Sequence, residues 1–395
     1  MTRNITALIG FVLLAGCSGG GGDSATTSTA PPPPTPTAQP DMLTATSQGI
    51  LRGKANGQGQ REILRAPNLL QSNVSMDAGN IVYHRNQGDG GGTDIWTVRA
   101  DGTGDRALRN TANSEFVGAV SWPWLIYYDR AAEFTKTLNA ETNAEYRIDD
   151  AGGGFINFHN NRVIITSYSS IISQSFTGTD DIRYVHATGP EESEMLVPAF
   201  VGDRLISIRP SNLFSFPFLG GTAIPLDSGQ SYVSWGGSIG SRVVYHRCQL
   251  GGGPCDVVSV QNDGTSPVVL TSHPANEAVQ GVTTNQVIIR RNLSGNDHLI
   301  AVPVTGGAET LLMTMTDNEF VETIVEDTII VRRPSGTWSL NLSGTLKQLN
   351  NIAGLDGFVP VGNAICSSDV VWCMPLDGSA PAVKIANTGR VVGVL

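Results

Sequence analysis

Lysine is nearly missing from this chain. Four lysines stand among 25 basic residues, against 35 acidic ones, and charged residues fill only 15% of the 395 positions. With a net charge of −10 and no stripe of Lys and Arg to offset it, nucleic acid is excluded as a partner. Long apolar runs are missing too. The run at 7–15, broken by Gly10, is too short to cross a bilayer as a helix. From position 43 onward there is no convincing helical period, which argues against a bundle or an α/β body. Cysteine is scarce, with five in all, but at 40% apolar the chain is too hydrophobic for wholesale disorder.

What the chain has instead is glycine, 46 residues of it, and short alternating strands. The stretch 242–283 reads as four strands, at 242–247, 256–260, 268–271 and 278–282, separated by turn formers. The unit recurs. A Gly-containing turn follows an apolar strand at Gly59, Gly102, Gly178, Gly221, Gly264, Gly307, Gly344 and Gly378, at intervals of 43, 76, 43, 43, 43, 37 and 34. The long interval spans two units, with Asn139–Asn143 standing in for the missing glycine turn. A second landmark agrees: the strands at 81–85, 125–130, 162–165, 204–209, 242–247, 286–291, 328–333 and 364–366 are copies of one another.

Four strands in about forty residues is the signature of an all-β propeller. Eight blades are predicted over 73–387, and seven or nine also fit the spacing. The hairpin at 49–64 and the strand at 390–395 are left over, and are expected to close the ring by bringing both termini into one blade.

Asp94–Thr103 (DIWTVRADGT) and Asp256–Thr265 (DVVSVQNDGT), the latter followed by Leu270-Thr271, resemble the TolB-type, WD40-like propeller repeat. The resemblance implies fold rather than activity, since such repeats serve unrelated functions. At the other end, Leu14-Ala15-Gly16-Cys17 after Arg3 and the apolar run resembles the lipobox of bacterial lipoproteins. It implies a signal peptide at 1–16 and acylation of Cys17, with Ser18 implying sorting to the outer membrane. Residues 17–42, rich in Gly, Ser, Thr and Pro, are expected to tether a propeller at 43–395 to that membrane, facing the periplasm or the outside.

The other four cysteines form two pairs, Cys248 with Cys255 and Cys366 with Cys373, each bracketing a hairpin connection. In an exported protein they are expected to be disulfides. The alternative, a metal site, needs ligands from elsewhere, and no metal or cofactor is predicted.

An arginine recurs at the end of the second strand: Arg85, Arg130, Arg209, Arg247, Arg291 and Arg333. Blade topology puts these residues on the face that also carries the longest loops. A ring of guanidinium groups there suits an anionic glycan or an acidic segment of a protein partner. The competing expectation is structural, with Glu115, Glu277 and Glu319 pairing with neighbouring arginines to lock the blades.

Catalytic signals are weak. Gly236-Gly237-Ser238-Ile239-Gly240 fits a nucleophile elbow only on paper, since a strand follows where a helix is needed. Asp89 and Asp94 lack the carboxylate pattern of a calcium loop. The chain is therefore expected to be a non-catalytic binding or scaffold propeller. Two alternatives stand beside it: a polysaccharide lyase using His84, His246, His273 and His298, and an accessory subunit of an outer-membrane assembly.

Overall fold

The computed structural model describes residues 40–395, apart from 68, 71–72, 87–91, 149–155, 167–169, 186–196, 210–211, 228–230, 250–252 and 294. The leader, Cys17 and most of the tether lie outside the described residues.

Every strand pairing among the described residues is antiparallel, and the strands run up and down in consecutive sets of four. Seven sheets have four strands each, and one has seven. The seven-stranded sheet is two units sharing one long strand. Val383–Val394 pairs through its first half with Asp369–Pro375, and through its second half with Asp41–Thr46. Sheets number eight, but four-stranded units number nine among the described residues. The leftover hairpin, strands Gly49–Lys54 and Arg61–Arg65, shares a unit with the C-terminal strand, so both termini meet in one blade as expected. With Asp41–Thr46 and the C-terminal strand it makes a unit of its own. Asp41 and Met42, assigned above to the tether, belong to that unit's strand, and Met42 is fully buried.

The second strands explain why the units stack into a ring. Arg242–Gln249 carries Val243, Val244 and Tyr245 in succession, all buried. Because side chains alternate along a strand, Val243 and Tyr245 pack on Val201, Ile206 and Leu213 of the preceding unit. Val244 points the other way, onto Val287, Ile289 and Ile300 of the following one. Both faces of each sheet are thus covered, so the strand centres read as unbroken apolar triplets. Tyr83 and Tyr127 hold the place of Tyr245 in their own units. Each of the three hydroxyls donates to a carboxylate, of Asp105, Glu145 and Asp227 respectively.

All eight glycines of the sequence ruler have positive φ, and Asn143 takes the same conformation at +58° where glycine is absent. At Gly264 (φ +82°) a Cβ would also come within 2.9 Å of Ile224, so the turn is closed against the neighbouring unit as well.

Four of the first strands carry a β-bulge, at Gly118, Gly236, Gln280 and Glu322. Gly236 therefore belongs to a bulge inside strand Ser231–Ile239. A tight turn and strand Arg242–Gln249 follow it, which removes the nucleophile-elbow reading.

Both cysteine pairs are disulfides: Cys248–Cys255 and Cys366–Cys373 join directly opposed residues of second and third strands.

Candidate functional site

In each unit the first strand starts, the second ends and the fourth ends on one face, called here the loop face. The opposite, turn face carries the short first-to-second and third-to-fourth connections. The recurrent arginines do sit at the loop-face end of the second strand, but most of them fold back along their own blade.

Arg85 lies over the Trp96 ring, 4.2 Å from its centroid, and reaches Asp105 at 3.1 Å. Arg247 meets Asp256 on the adjacent strand at 3.4 Å. Arg291 is buried, and its guanidinium is filled by two carboxylates. It donates to Glu277 at 2.6 Å and holds Glu309 through two parallel bonds of 2.7 Å. Arg333 pairs with Glu319 and stacks over Trp338. Arg130 is exposed, and no ion pair to it occurs among the described residues. The side chain of Arg209 lies outside the described part of the chain.

Two of the three glutamates expected to lock blade to blade, Glu277 and Glu319, pair with an arginine inside one blade instead. Glu277 and Arg291 are direct cross-strand partners. What crosses the seam is a threonine from the preceding unit. Thr271 donates to Glu277, and Thr111 donates to Glu115. Among the described residues no arginine forms an ion pair with Glu115, and burial raises its pKa against the opposing pull of that hydroxyl. The hydrogen bonds to Arg291 hold Glu309 below the usual carboxylate range, and the same bonds raise Arg291.

The histidines fasten the seams. His84 Nε2 accepts from the backbone N–H of Val117 at 3.0 Å, and His246 Nε2 accepts from that of Val279 at 2.7 Å. In both cases the donor lies 33 residues further on, in the first strand of the next unit. Acceptance fixes the proton on Nδ1, which for His246 lies 3.0 Å from Ser234 Oγ. Burial lowers both pKa values, that of His84 to about 4. His273 accepts from its own loop, at Ala275 N–H. Two of the four histidines of the lyase reading are therefore committed to separate seams. Asp94 is the cross-strand partner of Arg85, and Asp89 lies outside the described residues. Among the described residues, no three His, Cys, Asp or Glu side chains gather in a way that could hold a metal ion.

A pH dependence follows. The unfolded chain protonates His84 near 6.5, whereas the folded chain resists protonation down to about 4. Its contribution is therefore complete above about pH 6.5 and is lost as pH falls towards 4. That gap is worth on the order of 3 kcal/mol. The melting temperature of the wild type should fall more steeply than that of His84→Gln between pH 6.5 and 4.5. Parallel curves for the two proteins would count against the seam role.

A second recurrent arginine was overlooked, at the opposite end of the same strand. Arg162, Arg204 and Arg242 open their second strands, and each donates through Nε and a terminal nitrogen to the hydroxyl and carbonyl of a buried serine: Ser173, Ser215 and Ser259. The signal was present in the sequence as an arginine opening three consecutive second strands.

No family model matches the sequence, and no curated protein matches it. Among solved structures, a eukaryotic initiation factor aligns at 8% identity over 89% of this chain and 98% of its own, with a TM-score of 0.60. A dipeptidyl aminopeptidase IV-like protein of Bacteroides ovatus ATCC 8483 aligns at 10% identity over 80% of this chain and 60% of its own, at 0.50. A TolB-like protein of Agrobacterium tumefaciens aligns at 13% identity over 54% of this chain and 85% of its own, at 0.30. The chain spans 49% of a prolyl endopeptidase and 53% of a puromycin hydrolase that it also matches, about half of each. Likeness at such identities is one of fold: the chain is an all-β propeller, and its neighbours' activities do not transfer with it.

Proposed function

We propose that this chain is a non-catalytic binding or scaffold propeller of the bacterial cell envelope, held at the outer membrane by acyl chains on Cys17. The observation that carries the binding reading is a loop-face patch on the second unit. Phe116 and Tyr128 are cross-strand partners, 40% and 39% exposed, beside the exposed Arg130. Aromatic residues and arginine are the types that anchor protein interfaces, so the patch suits a protein partner with an acidic segment better than a glycan. The two disulfides support an oxidising compartment, as the lipobox-like Leu14–Cys17 does from sequence.

Two arms of one experiment test this in a bacterial host. An alkyne analogue of palmitate should label the wild type in the membrane fraction and leave Cys17→Ser unlabelled. A photo-crosslinking residue at position 128 should give a discrete adduct that Arg130→Glu abolishes. A labelled Cys17→Ser protein would refute the anchor, and adducts indifferent to Arg130→Glu would refute the binding face.

A further inference from the structure

We propose that a cleft on the turn face, at the seam between the first unit (75–109) and the second (115–147), binds a sugar-sized ring carrying a carboxylate or a phosphate. It lies on the face away from the Phe116–Arg130 patch and does not depend on that reading. The cleft has a volume of about 520 Å³, within the range of small-molecule sites, and is lined by Asn80, Thr97, Arg99, Arg106, Trp122 and Glu141 among others.

It breaks the repeat at two places. At the matching place in their first-to-second turns the other units carry Ala78, Asn160, Gly202, Gly240, Glu326 and Gly362, or the longer turn Thr283-Thr284-Asn285, none of them aromatic. The second unit places Trp122 there, half-buried, where its indole can offer a flat apolar face to a ring. The second departure is a pair of arginines flanking the third-to-fourth turn of the first unit. The fifth unit has the same Asp-Gly-Thr turn, yet its matching residues are Gln261 and Val268. Arg99 and Arg106 are exposed, and no ion pair to either occurs among the described residues. That sets them apart from Arg85, Arg291 and Arg333.

The frame is held still. Asp77 of the first unit accepts the backbone N–H of Trp122 at 2.7 Å, across the seam. Pro123 C=O accepts from Ala140 N–H, and the Ala140 carbonyl accepts one nitrogen of Arg106. The remaining nitrogens of Arg106 and the whole Arg99 fork are left for a bidentate oxyanion contact. Asp101 ties down Thr103 through its N–H and its hydroxyl, fixing the turn between the two arginines. Asn80 and Glu141 at the rim supply a donor and acceptors for ring hydroxyls.

The test is titration of the full-length chain with glucuronate, glucose 6-phosphate and glucose, followed by tryptophan fluorescence and calorimetry. At least one of the two anions should bind saturably, at least about tenfold tighter than glucose. The tighter of the two says whether the oxyanion is a carboxylate or a phosphate. Arg99→Ala, an exposed change that should leave melting unchanged, should weaken that anion about tenfold or more. Trp122→Ala should weaken both anions, and if it also lowers melting, Arg99→Ala alone decides. No saturable binding of either anion, equal binding of glucose, or unaltered affinity in Arg99→Ala would overturn the proposal.

Discussion

Replacing Arg291 by alanine is expected to lower stability by about 3–5 kcal/mol, whereas Arg247→Ala should cost no more than about 1 kcal/mol. The two arginines occupy matching places in neighbouring units, and sequence gives no reason to rank them. Their surroundings do. Arg291 is 7% exposed and Glu277 5%, so removing the guanidinium strands a carboxylate that water cannot reach. Arg247 and Asp256 each keep about a third of their side-chain surface in solvent, and solvent screens what their 3.4 Å contact can contribute. Thermal and denaturant unfolding of the two variants at pH 7 makes the comparison. Restoring neutrality with Arg291→Ala/Glu277→Gln should recover part of the loss, since the buried charge goes too. Two equally mild variants would mean that these arginines are not architecture, and would return them to the recognition role that their position first suggests.

Much of the fold could be read from residues whose constraint is local. The turn at Asp263-Gly264 needs positive φ whatever surrounds it, and the apolar triplet Val243–Tyr245 needs cover on both sides. The spacing of Cys248 and Cys255 across one hairpin was likewise enough to predict a bond that the register then places directly between opposed residues. What escaped prediction depends on residues far apart in sequence. Arg291 finds Glu309 on the far side of its own blade, 18 positions on. His84 and His246 find backbone N–H groups, which every residue has, so no side-chain pattern could announce them. Asp41–Thr46 was not read as a strand, which hid the ninth unit, because that strand's inner neighbour comes from the last residues of the chain.

That last junction carries the account of the ring. Arg390–Val394 lies between Asp41–Thr46 and the open centre, pairing Met42 with Val394, Thr44 with Val391 and Ala45 with Arg390. Val391 is buried, Arg390 donates to the Val74 carbonyl of the first unit at 2.7 Å, and Leu395 N–H donates to Asp41. Without this segment Leu43 and Ala45, now fully buried, would sit on an open edge. Lost burial and lost ladder bonds together amount to on the order of 5 kcal/mol. The most direct measurement is the melting temperature of the chain ending at Gly389. A ring clasped by its own C-terminus should melt about 7 °C lower than the intact protein once that segment is removed. A truncated chain melting within about 2 °C of it would contradict that closure.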